Sequence, residues 1–183
     1  YQAMGTANSF VGYGPPWAHA SSAAFSFYKG YAAEGGIRTP LIIKMPGQQQ
    51  DKVVSSTFTT VMDLAASFLE LADGRFPETR EGGSLSPIKG ESMLPFLNGE
   101  QQQVHDPGYA VGWELFGRCA LRKGHWKLTK IEPPFGKGQF ELFNLQEDPG
   151  ETVDLSVDHP EKYQELLQEW ERYVKENGVI LQE

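Results

Sequence analysis

The sequence is nearly without cysteine: among 183 residues only Cys119 is present. No intramolecular disulfide can form, so the fold has to rest on its core. The same scarcity argues against a zinc site, because His19, His105, His125 and His159 are scattered and no pair stands at ligand spacing. Long apolar runs are missing too, and nothing approaches the ~20 residues that a membrane-spanning helix needs. Basic residues are in the minority, with 16 Lys+Arg against 24 Asp+Glu and a net charge of -8. Phosphate backbones and anionic membranes are bound by basic faces, so this balance argues against nucleic acid as a partner. The opening "YQAMGTANSF" has no initiator Met and no basic-then-apolar leader, so either a leader has been removed or the chain is a piece of a longer protein. No G-x-S-x-G occurs. "GYGPPW" at 12–17 lacks the preceding strand and third glycine of a nucleotide loop. "QEDPGETVD" is acidic without the alternating spacing of a calcium loop, and reads as a solvated turn.

What is present is a core-forming composition, 39% hydrophobic and 12% aromatic. Residues 1–36 show no period and read as loop with one short helix. "LIIKM" at 41–45, bounded by Pro40 and Pro46-Gly47, predicts a strand buried on both faces. In "TFTTVMDLAASFLELAD", residues Phe58, Val61, Met62, Ala65, Phe68, Leu69 and Ala72 form one helical stripe, with Gly74 suited to a left-handed cap. One strand and one helix make a single α/β unit, whereas a parallel sheet needs several. The first third therefore reads as the tail of a larger α/β domain.

Residues 74–108 form a connector in which "SMLPFLNGE" predicts a short helical turn. From 109 onward, "AVGWELF", "RCALR", "HWKLTKI" and "QFELFNL" are short aromatic and β-branched runs separated by Gly117, Lys123-Gly124 and Pro133-Pro134. They predict a four-stranded antiparallel meander. Tyr163, Leu166, Leu167, Trp170, Tyr173 and Val174 define a final amphipathic helix that starts at Pro160 and closes at Asn177-Gly178. The expected class is α+β. Residues 1–108 form the end of the α/β domain plus connector, and residues 109–183 form a sheet subdomain packed by the last helix.

Individual candidates carry little chemistry by themselves. Cys119 sits in a predicted strand as a small buried residue. Lys29, among aromatics, is expected to lay its stem along them with its ammonium in water. Arg38 reads as a tie between a loop and a neighbouring acceptor. Trp17, Trp113, Trp126 and Trp170 read mostly as core. No complete catalytic constellation follows from spacing.

Two stretches add a resemblance. "YKGYAAEGGIRTPLIIKMPG" resembles the sulfatase pattern of a lysine, then Glu-Gly-Gly-x-Arg-x-Pro, then a strand ending in Pro-Gly. "ALRKGHWKLTKI", "FELFNLQEDPGETVDL" and "HPE" resemble that family's C-terminal run of Gly-x-Trp-Lys, Leu-Phe-x-Leu and Asp-Pro-x-Glu before a last helix. "TTVMDLAASFLELADG" is similar to the intervening helix, and the motifs together resemble those of the longer bacterial arylsulfatases. The resemblance implies the alkaline-phosphatase-like fold and a sulfuric ester hydrolase. It places Lys29 at the catalytic site against the sulfate, with Glu34, Gly35, Gly36 and Arg38 supporting the turn behind it.

It also shows what this sequence omits. The C/S-x-P-x-R motif that yields the formylglycine nucleophile is absent, as are the Asp-Asp and Asp-Asn of the calcium ligands; Asp-His and Lys-x-His occur only as Asp158-His159 and Lys123-Gly124-His125, in the C-terminal module and out of the family's order. Calcium is thus expected only in the full-length protein, with no cofactor in this segment, and the segment alone is expected to be inactive. The implied partners are a small-molecule sulfate ester and the missing N-terminal part of the same chain. No nucleic acid or membrane span is expected, and self-association through an unpaired strand edge is. Family habit implies a periplasmic or secreted home. Two rivals stand beside this reading: a phosphonate monoester hydrolase or phosphodiesterase on the same scaffold, and a non-catalytic glycan-binding or interaction module.

Overall fold

The computed structural model describes residues 2, 4–7, 9, 12, 14–47 and 53–181. Much of the loop expected over the first 13 residues therefore lies outside the described residues. In chain order the helices are α1 (Gly14–Ser21), α2 (Glu34–Ile37), α3 (Val61–Leu71), α4 (Leu94–Leu97) and α5 (Pro160–Asn177). The strands are β1 (Thr79–Arg80), β2 (Gly83–Ser84), β3 (Ala110–Leu115), β4 (Arg118–Lys123), β5 (Trp126–Lys130) and β6 (Phe140–Asn144). The backbone divides into two compact units, Tyr1–Ile42 with Ala110–Glu183, and Ile43–Tyr109. The N-terminal segment thus groups with the antiparallel sheet, not with the 43–109 stretch. The ties described below, between residues 26–38 and the strands, are the reason.

In the first unit, β3 to β6 form an antiparallel meander in sequence order. The left-handed pair Phe116 and Gly117 turns β3 into β4. The register sets Leu121 opposite Leu128 and Leu128 opposite Leu142, so these leucines share one face. That face packs on Leu166 and Trp170 of α5, with Cys119 beside them, and forms the main apolar core. Helix α5 begins at Pro160 with Glu161 in its first turn and stops at Gly178 in the left-handed region, as its sequence predicts. The opposite face of the sheet carries Lys127 and Thr129 and is covered by residues 26–38. A smaller apolar cluster of Tyr31, Ala33 and Ile131 lies there, flanked by Phe27 and Tyr28.

In the second unit, the reciprocal bonds of a capping box between Thr60 and Asp63 start α3. Its end differs from expectation: Asp73, at φ 49°, takes the left-handed position, while the Gly74 N–H closes the turn on the Leu69 carbonyl at 2.8 Å. The buried side of α3 is also not the predicted stripe. Asp63 and Ser67 face inward, while Val61 (80% exposed) and Phe68 (63%) face out. Polar partners decide this, because Asp63 and Ser67 bond the 91–105 stretch. The short α4 falls within "SMLPFLNGE" as its sequence predicts.

Three further expectations are corrected. Residues 41–45 form no strand, and Ile42 is 93% exposed. A strand exists only through ladder pairing, and this run has no pairing strand among the described residues. Trp17 is not core but 68% exposed, on a helix α1 that has no buried residue. The acidic turn after β6 is not wholly solvated, since the Glu151 side chain is 2% exposed.

Candidate functional site

The family-like motifs, far apart in the chain, converge on the polar face of the sheet. Alternation along β5 turns Trp126 and Leu128 toward α5 and Lys127 the other way. The Lys127 ammonium is fully buried, 2.8 Å from Glu34 Oε1 and 3.0 Å from Glu151 Oε1. Glu34 opens α2, and its own N–H donates to Glu151 Oε2 at 2.6 Å. The Thr129 hydroxyl donates to Glu151 Oε1 at 2.9 Å. Arg38 Nη1 lies 4.0 Å from Glu34 Oε2, which brings the charge of the four groups to zero. Nearby on β4, burial lowers the affinity of the Arg122 guanidinium for its proton; Glu34 opposes that shift and Arg38 adds to it. Buried charges are retained only when paired and hydrogen-bonded, and each one here has its partners.

Gly35 and Gly36 fit this arrangement for a steric reason. A Cβ on Gly35 would stand 2.3 Å from the Phe27 carbonyl oxygen, and one on Gly36 would stand 2.1 Å from that of Tyr31. The helical turn of Glu-Gly-Gly therefore lies directly on the backbone of the 26–31 loop, a distance only glycine permits. The same loop is held from other sides. Gly35 N–H donates to the Ser26 carbonyl at 2.9 Å, and the Ser26 hydroxyl donates to the Gly150 carbonyl at 2.5 Å. The Phe27 and Tyr31 rings stack with centroids 4.6 Å apart. Lys29 sits at the tip of this loop. It is exposed and has no hydrogen-bond or ion-pair partner among the described residues.

Of the residues singled out from sequence, Glu34, Gly35, Gly36 and Arg38 thus come together in the support behind the loop, and Lys29 projects from it. Arg38 also lies over the Phe25 ring, 4.7 Å from its centroid. Sequence reasoning missed Lys127 and Glu151. Their signal was present in Gly-x-Trp-Lys and Asp-Pro-x-Glu, but no spacing rule links residues 93 and 117 positions away from Glu34.

Cys119 is 2% exposed, and burial, with Glu114 adding to it, pushes its thiol up to about 11. A thiol so protonated is a poor nucleophile. In the second unit Asp63 is fully buried and accepts from Thr60 N–H, Glu91 N–H and His105 Nε2. The His105 ring stacks on Tyr109 at 4.0 Å, so the Asp63–His105 pair ties α3 to the 91–109 stretch. Among the described residues no three His, Cys, Asp or Glu side chains gather as metal ligands would. The donor set here does not fit calcium. Among the described residues no helix is long and apolar enough to cross a membrane.

A family model described as N-sulphoglucosamine sulphohydrolase, C-terminal, matches residues 24–178. An uncharacterised sulfatase of Schizosaccharomyces pombe is 37% identical over 179 residues, covering 97% of this chain and 32% of that protein. Arylsulfatase K of Xenopus laevis is 30% identical over 155 residues, covering 76% of this chain and 26% of its own length. A solved structure from work on glycosaminoglycan metabolism by Bacteroides thetaiotaomicron aligns with a TM-score of 0.46 at 22% identity, over 61% of this chain and 24% of that one. The chain therefore spans 32% or less of the length of these relatives. With the family match running from the aromatic loop through the last helix, and more than a third of residues identical across nearly its whole length, the chain belongs to the sulfatase family and represents a C-terminal portion of it.

Proposed function

We propose that the full-length protein is a sulfuric ester hydrolase acting on small sulfate monoesters, and that this chain supplies its active site with the Lys29 ammonium. The observation that carries the reading is the contrast between an exposed, unpartnered cation and the heavily braced loop beneath it. Cleaving a sulfate ester builds negative charge on the bridging oxygen. An ammonium held beside that oxygen stabilises the charge as it develops, and lysine suits the task as a compact point charge. Glu34, Gly35, Gly36 and Arg38 hold the turn and do not touch the reacting atoms.

The nucleophile and calcium belong to parts of the full-length protein outside this sequence, so no step through them is assigned to these residues. Calcium, when bound there, would supply a positive charge against the sulfate oxygens. The segment alone is inactive in this reading. Its exposed apolar residues, Ile42 at 93%, Val61 at 80% and Phe68 at 63%, are surfaces that the rest of the same chain covers. Isolated, the chain self-associates, and light scattering that returns a monodisperse monomer would refute this. The proposed compartment is periplasmic or extracellular, to be checked by fractionation.

Turnover of aryl sulfate against aryl phosphonate by the full-length protein tests the reaction class, and preference for the phosphonate would overturn it. Lys29→Ala is expected to lower kcat on aryl sulfates about 100- to 1000-fold, as for the loss of one preorganised transition-state contact. Unchanged turnover would remove Lys29 from the site.

A further inference from the structure

We infer that Arg118 is a positioning residue for Lys29, fixing the place of its ammonium by clamping the backbone next to it. Arg118 opens β4 immediately after the left-handed pair Phe116 and Gly117, so the tight turn sets its direction. It lies on the same side of the strand as Ala120 and Arg122, opposite the leucines packed on α5. From there Nη1 donates to the carbonyl of Gly30, the residue directly after Lys29, at 2.6 Å. The guanidinium carbon stands 4.0 Å over the ring of Tyr31, one residue further on. A single planar cation thus grips a carbonyl and an aromatic face on two consecutive residues, a pairing that lysine cannot reproduce.

The receiving backbone is shaped for the grip. Gly30 has φ +102°, a conformation that side-chain-bearing residues avoid, and a Cβ there would meet Arg118 Nη1 at 3.9 Å. This conformation presents the Gly30 carbonyl to the strand. The other end of the loop is pinned by Ser26 on Gly150, so Lys29 lies on a short span whose two ends are both tied to the sheet unit. Lys127 and Arg118 divide the work. Lys127 holds the Glu34 turn, on which the loop rests, whereas Arg118 holds the loop one peptide from the lysine itself. A loop tip freed on one side no longer places its ammonium to within the fraction of an ångström that charge stabilisation of a leaving oxygen requires.

The inference rests on the reading of Lys29 given above, and the test separates the two. The full-length protein is assayed on a series of aryl sulfates whose phenols differ in pKa. A cation at the leaving oxygen makes the rate less dependent on phenol pKa, so its loss or displacement steepens that dependence. Arg118→Met is expected to lower kcat on 4-nitrophenyl sulfate about 10- to 100-fold, with KM little changed and the dependence on phenol pKa steepened toward that of Lys29→Ala. The Lys29→Ala/Arg118→Met double variant is expected to lose no more than Lys29→Ala alone, because Arg118 acts only through Lys29. Arg118→Lys keeps the charge but not the planar grip, and is expected to follow Arg118→Met. It also serves as the test variant should Arg118→Met not fold, as judged by its urea midpoint.

Two results overturn the inference while leaving Lys29 in place. One is a Lys29→Ala variant with a steepened dependence beside an Arg118→Met variant that lowers every substrate equally. The other is additive loss in the double variant, which would mean that Arg118 acts independently of Lys29. If Lys29→Ala itself leaves both rate and phenol dependence unchanged, the proposed role of Lys29 fails, and the positioning role of Arg118 fails with it.

Discussion

The two faces of the four-stranded sheet solve the same burial problem with opposite chemistry. On one, Leu121, Leu128 and Leu142 meet Leu166 and Trp170 of α5 in a dry apolar layer. On the other, Lys127 sits at zero exposure between two carboxylates, Glu34 at the start of α2 and Glu151 in the turn after β6. Leucines need only water excluded around them, and many neighbours of about the right size would serve. The buried ammonium needs Glu34 and Glu151 at hydrogen-bond distance, so it admits one arrangement of the covering segment. The apolar face therefore supplies stability, and the ionic face fixes where the Lys29 loop lies.

The sharpest way to break this comparison is to change adjacent residues of β5 that point to opposite faces. Lys127→Met strands two buried carboxylates against each other and is expected to cost about 3–5 kcal/mol in urea unfolding. Replacing Glu34 and Glu151 with Gln in the same chain should recover much of that loss while leaving the Lys29 loop misplaced. A triple variant no more stable than Lys127→Met would mean that the ionic face supplies stability after all. Leu128→Ala, on the dry face, is expected to cost about 2–5 kcal/mol, chiefly through lost packing. Its effect on kcat should be slight under conditions where the protein stays folded, and a large fall in kcat would merge the two faces into one functional unit.

The smallest effect concerns the Cys119 thiol, on the dry face. Its folded value, about 11, lies above that of a free thiol, so the folded state disfavours the thiolate. The contribution to stability is complete below the unfolded thiol's pKa and is lost as pH rises toward 11. Cys119→Ala is expected to flatten this alkaline decline. Alkylation at pH 8 should require unfolding, and rapid alkylation of the folded protein would contradict the burial.

Local rules were enough where one element decided the outcome. The meander's breaks at Gly117 and Gly124, the helix from Pro160 to Asn177 and its Gly178 stop all follow from period and turn chemistry. They were insufficient where partners came from elsewhere. The α3 stripe of Val61 and Phe68 is helical as its period predicts, yet Asp63 and Ser67 decide which side is buried. "LIIKM" has the composition of a strand, but pairing requires a neighbour, and none stands beside it among the described residues. The role proposed for Lys29 comes only from resemblance, and Arg118, in a stretch whose pattern says only strand, carries no signal at all.

The sequence by itself determined the α+β class, the order of the strands and the family, because periodicity, glycine placement and motif order are properties of the chain read locally. Only the tertiary structure decided that Lys127, Glu34 and Glu151 form one buried ionic cluster and that Arg118 grips the residue after Lys29. Ties between residues 88, 93 and 117 positions apart depend on distances in space, and those distances exist only once the sheet and its covering segment have packed.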